Sequence, residues 1–129
     1  MDDQRIYDCI IIGAGPGGLQ AAIYLGRFNR KVLLIDRGGG RTTLAKNIEN
    51  FLTRKAISGQ EIIELGIEQA ASFGAEIVRG VVSIVKRSRA VFEVTTEREM
   101  YRGLWSYLQA ARRISRISRI SINSSQRLL

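Results

Sequence analysis

A chain of 129 residues with 45% hydrophobic content can build one globular domain with its own core, and normally no more. A single cysteine excludes a disulfide framework and an intrachain Cys-x-x-Cys pair, and the absence of histidine removes the commonest general base and metal ligand, so no zinc or hydrolase constellation can be assembled. The net charge of +8 is unevenly placed: residues 1–102 hold 15 of the 20 basic and all 12 acidic residues, whereas residues 103–129 hold five arginines and no acid.

The chain opens without a basic segment followed by an apolar run, and nowhere holds an apolar stretch of about 18 residues. A soluble, cytoplasmic chain is expected. Residues 9–12, Cys-Ile-Ile-Ile, suit a strand buried on both faces, and residues 17–27 have the alanine and leucine content of a helix. Between them lies Gly13-x-Gly15-x-x-Gly18. The first glycine permits a tight turn, the second leaves room for a pyrophosphate against bare backbone, and the third lets helix and sheet approach closely; the anion would sit on the helix N-terminus. Such a pattern also occurs as a turn with no ligand. Here a second apolar run, residues 32–35, ends in Asp36, 21 residues past Gly15, near the spacing of the carboxylate that binds ribose hydroxyls.

Residues 37–52 then form a glycine-rich polar loop, long enough in a compact domain to carry function. Ser58 and Glu61 have capping-box spacing, and residues 61–73 read as a helix with apolar Ile62, Leu65, Ile67, Ala70 and Phe73, ending before Gly74. "AEIVRGVVSIV" and "AVFEVTTE" are β-rich segments joined by a charged stretch, residues 86–89, of hairpin type. The predicted order is βαβ, loop, helix and three short strands, with residues 7–12 central and residues 31–36 their parallel neighbour. Cys9, inside the first strand, reads as a small buried apolar residue.

With these residues the sequence resembles the opening of flavoproteins of the thioredoxin reductase type, within the pyridine nucleotide-disulfide oxidoreductases. "YDCIIIGAGPGGLQAAIYLGR", with Pro16 between the second and third glycines, is similar to that family's FAD-binding start, and "NIENFLTRKAISGQEIIELGIEQAASFGAEIV" to the segment after its flavin loop. The resemblance covers residues 5–102. It implies an α/β fold: a Rossmann-like FAD-binding domain, incomplete, with a parallel sheet and small additional β-strands. It implies that Gly13, Gly15, Pro16 and Gly17 line the FAD pyrophosphate and that Asp36, where the family more often has glutamate, takes the adenosine ribose and repels a 2′-phosphate. It places Arg41, Thr42 and Asn50 near the flavin half, and the backbone of Val82 against adenine. Arg41 and Thr42 read equally as solvated loop residues, Asn50 as a turn residue and Val82 as core.

Full-length relatives use NADPH as well as FAD, through an inserted second domain. This chain has one glycine fingerprint, no Cys-x-x-Cys, no Ala-Thr-Gly strand end and no late Gly-Asp motif, so no residue in it is a catalytic candidate. The resemblance leaves a family-type homodimer open. Past Gly103 the sequence changes character, and Arg-Ile-Ser repeats three times over residues 113–121. A basic amphipathic helix over Leu104, Leu108, Ala111 and Ile114, a disordered tail and an out-of-frame or truncated continuation all fit. The last is favoured: residues 103–129 are expected to stand outside the family fold, with no specific nucleic-acid or membrane partner.

Overall fold

The structure is a computed structural model, and it describes residues 5–108 and 116–117. Among the described residues seven strands form one sheet: β1 (Ile6–Ile12), β2 (Val32–Asp36), β3 (Glu76–Arg79), β4 (Val82–Ser88), β5 (Val91–Thr96), β6 (Met100–Leu108) and β7 (Arg116–Ile117), in the order β3-β2-β1-β6-β5-β4-β7. Two helices accompany them, α1 (Pro16–Arg27) and α2 (Gly59–Ser72), with a short 3-10 helix at Arg41–Leu44.

The isoleucines of β1 and the Val-Leu-Leu-Ile of β2 are β-formers without polar atoms, so both strands are stable only when covered on both faces. They pair in parallel, Ile10 opposite Leu33 and Ile12 opposite Ile35, as the βαβ pattern predicts. On one face Cys9, Ile11, Val32 and Leu34 pack with Leu19 and Ala22 of α1 and Ala70 of α2. On the other, Ile10, Ile12, Leu33 and Ile35 pack with Val82, Val85 and Val94, because the β4–β5 hairpin curls over that face. Ile10, Ile11, Leu33 and Leu34 are fully buried, each stabilising the fold by about 1.5–3 kcal/mol.

Near the start of β1 the alternation slips by one. Asp8 N–H and Cys9 N–H both point at the Lys31 carbonyl, at 2.8 and 3.3 Å. Tyr7 therefore joins Ile10 and Ile12 rather than Cys9 and Ile11, and its hydroxyl donates to Glu76 Oε2 at 2.7 Å.

β6 joins the two halves of the sheet. Its first part pairs antiparallel with β5, Phe92 opposite Gly103 and Thr95 opposite Met100; from Arg102 to Leu108 it pairs in parallel with β1. The expectation that residues 103–129 stand outside the fold is thereby corrected for residues 103–108, which are central strand, and for Arg116–Ile117, which pair in parallel with Ile84 and Val85. The helical reading of the segment fails for Leu104 and Leu108 in the same way; Ala111, Ile114 and the remaining repeat residues lie outside the described residues. The physical reason is that ladder hydrogen bonds are made by backbone: the open edge of β1 accepts a strand whatever its side chains resemble.

Candidate functional site

The first glycine ends β1 with φ +104°, a conformation that would strain an alanine by about 1–3 kcal/mol. The turn it makes returns to β2, Gly13 N–H donating to the Ile35 carbonyl at 2.9 Å. Gly15 is the N-cap of α1 and Pro16 its first residue, where a missing N–H is harmless. No side chain caps α1, and its first turn holds no acid. The contrast with α2 is direct: there Ser58 Oγ accepts from Glu61 N–H at 3.1 Å, and Glu61 occupies the first turn. The Glu61 side chain pairs with Arg54 at 3.3 Å. An α-helix leaves its first N–H groups without intrahelical acceptors. In α1 the N-cap is a glycine with no side chain to offer, which leaves the backbone of Gly15, Pro16 and Gly17 open to the approach of a ligand.

Asp36 closes β2 on the same edge. Its Oδ1 accepts from Gly38 N–H at 2.9 Å, and its Oδ2 stands 3.7 Å from Arg79 Nη1, an ion pair rather than a hydrogen bond. Arg79 ends β3 directly opposite Asp36 in the parallel register, and the Asp36 carbonyl accepts from Gly80 N–H at 3.0 Å. Val82 begins β4 two residues later with its side chain buried in the core. Gly13, Gly15, Pro16, Gly17, Asp36 and Val82 are thus gathered at the C-terminal edge of the parallel strands, where ligands of open α/β sheets bind.

Arg41 and Thr42 belong to a second group. They lie in the 3-10 helix, which is held against the start of α2: Gly59 N–H donates to the Ala45 carbonyl at 2.8 Å, and a Cβ on Gly59 would overlap the Thr42 carbonyl. Asn50 is exposed, just outside the bridge in which Ile48 and Ile57 exchange hydrogen bonds at 2.8 and 3.0 Å. The long loop is therefore pinned at its base to α2 rather than to the glycine turn.

Sequence reasoning missed Arg79. The signal was available in "AEIVRG", an apolar strand ending in a cation beside an apolar strand ending in Asp36, but it needed the pairing register of β2 and β3 to be read.

Among the described residues no cluster of three or more histidine, cysteine, aspartate or glutamate side chains could hold a metal, and no helix is long and apolar enough to cross a membrane. Burial, and secondarily the Asp8 charge, push the Cys9 thiol up, away from the reactive thiolate.

A strand, a glycine turn, an uncapped helix and a second parallel strand ending in a carboxylate define a Rossmann-like domain of the dinucleotide-binding class. Comparison with known proteins narrows this. The sequence pattern of the pyridine nucleotide-disulphide oxidoreductases matches residues 7–107, and the chain belongs to that family. Over 87 residues it is 41% identical to a thioredoxin reductase of Bacillus subtilis strain 168, covering 66% of this chain and 28% of that protein. Over 81 residues it is 46% identical to a thioredoxin reductase of Aquifex aeolicus strain VF5, covering 60% of this chain and 25% of that protein. Thioredoxin reductase from Streptococcus pyogenes superposes with a TM-score of 0.77 at 31% identity, over 82% of this chain and 35% of that one. The domain is thioredoxin reductase-like, and the chain spans about a quarter to a third of the length of these relatives. The family match runs past Gly103 to residue 107, in step with β6 and against the boundary expected at residue 102.

Proposed function

We propose that this chain is the FAD-holding part of a thioredoxin reductase-like NAD(P)H-dependent oxidoreductase. The observation that carries the reading is the bond from Gly13 N–H to the Ile35 carbonyl: it sets the glycine turn and the uncapped start of α1 beside the Asp36 carboxylate, one end suited to a pyrophosphate and the other to a ribose diol. In this reading Gly13, Gly15, Pro16 and Gly17 hold the pyrophosphate, Asp36 accepts from the adenosine ribose, the Val82 backbone meets adenine, and Arg41, Thr42 and Asn50 serve the flavin half. Bound FAD would supply the hydride and electron chemistry; the chain's own residues bind and orient it.

Reduction of a disulfide needs groups this sequence does not contain, since its one cysteine, Cys9, is buried in β1. In this reading the residues present bind the dinucleotide and supply no disulfide-reducing group of their own. Titrating the purified protein with FAD and with NAD, followed by flavin and intrinsic fluorescence, tests the reading. FAD should bind, weakly, and better than NAD; equal or tighter binding of NAD would overturn it.

A further inference from the structure

An aspartate alone at the end of the second strand would repel a 2′-phosphate, the expectation drawn from the sequence. The structure changes the electrostatics of that position. One carboxylate oxygen is held by Gly38 N–H and the other faces Arg79 Nη1 at 3.7 Å. The guanidinium lies over Gly38: a Cβ built there would collide with Nη1. The Arg79 side chain is 67% exposed, whereas that of Asp36 is 17% exposed. The carboxylate is thus fixed and the cation that neutralises it is free to turn. Arg37, next in sequence to Asp36, is exposed as well. A further acid, Glu97, is tied to Val81 N–H at 2.7 Å, which holds its carboxylate below the usual range.

We propose that Arg79 makes the ribose end of this site accept a 2′-phosphorylated adenine nucleotide, turning from Asp36 onto the phosphate while Gly38 N–H keeps the carboxylate in place. The inference rests on the dinucleotide reading above and extends it to a second ligand class. Its chemistry is that of a guanidinium, whose planar donors match a phosphate and which at 3.7 Å from Asp36 gives up an ion pair but no hydrogen bond. The guanidinium on the phosphate then offsets the repulsion from the Asp36 carboxylate that would otherwise exclude this ligand.

Two probes that differ only in the group concerned test this: 5′-AMP and adenosine 2′,5′-bisphosphate, titrated against the full chain by calorimetry. The wild type should bind the bisphosphate at least as tightly as 5′-AMP. Arg79→Met should lower the affinity for the bisphosphate relative to that for 5′-AMP about tenfold, Arg79→Lys should restore part of the loss, and Asp36→Asn should tighten the bisphosphate. The advantage of the bisphosphate should shrink as salt rises. If 5′-AMP binds and the wild type excludes the bisphosphate, or if Arg79→Met leaves the ratio of the two affinities unchanged, the inference is overturned and the dinucleotide reading stands. If neither probe binds, both are overturned.

Discussion

Gly103 sits against Ile10 where β6 crosses from the hairpin to the parallel sheet, so closely that a methyl group on it would stand 2.8 Å from Ile10 Cγ1 and 3.0 Å from Cδ1. A buried glycine at the centre of the sheet is the point at which sequence composition suggested the domain had ended. Gly103→Ala should overpack this contact and destabilise the fold by about 1–3 kcal/mol. Urea unfolding of the single variants and of the pair with Ile10→Val, which removes Cδ1, checks it. The pair should be more stable than the sum of the single effects predicts, and simple additivity would count against the contact.

Shortening the chain separates the two parts of its basic segment. Ending it at Leu108 removes β7, a two-residue strand on β4, and should change the unfolding midpoint little. Ending it at Arg102 removes most of the strand paired to β1 and uncovers that edge, and should abolish cooperative unfolding. Circular dichroism melts of the two shortened chains report the difference. A stable protein ending at Arg102 would show that β6 contributes nothing.

Asp36→Asn keeps the shape of the side chain and removes its charge. FAD affinity should fall by about 1.5–3 kcal/mol, the worth of a charge-assisted hydrogen bond to the ribose. Fluorescence titration measures this, with Arg41→Ala as a comparison at the more distant, exposed loop. An unchanged affinity for Asp36→Asn would remove this residue from the site.

Tyr7 gives a prediction in alkali. Burial first, and then its hydrogen bond to the Glu76 carboxylate, push its phenol up from 10 to about 12. Tyr101, edge-on to it with ring centroids 6.5 Å apart, is likewise pushed up to about 12, by burial and then by Glu99. A phenol whose folded value is raised stabilises the fold fully below its unfolded value, and that stabilisation is lost as pH rises through the folded value. Stability should therefore fall between about pH 10 and 12. Tyr7→Phe should cost about 1 kcal/mol at neutral pH through the lost hydrogen bond and should flatten the alkaline fall; denaturation followed at several pH values shows both.

Cys9 should resist thiol reagents in the folded protein at neutral pH, since burial both hides it and disfavours its thiolate. Its reaction rate should rise with denaturant along the unfolding curve. Rapid modification under native conditions would mean that β1 opens locally.

What the sequence by itself determined about this protein is local. Three isoleucines ahead of Gly13, the Pro16 start of α1, the Ser58 cap of α2 and the run into Asp36 each bias a few neighbouring residues, and the β1-α1-β2 unit and its glycine turn were legible for that reason. Tertiary structure decided what depends on register and crossing. Arg79 faces Asp36 only because β3 pairs with β2 at one offset, and Tyr7 meets Glu76, 69 residues away, only because the sheet brings β1 and β3 to either side of β2. Residues 103–108 are central strand because β1 has an edge to fill and Gly103 lets backbone pass over Ile10. Backbone hydrogen bonds carry no trace of side-chain identity, so a change of composition and charge along the chain does not mark where the sheet ends.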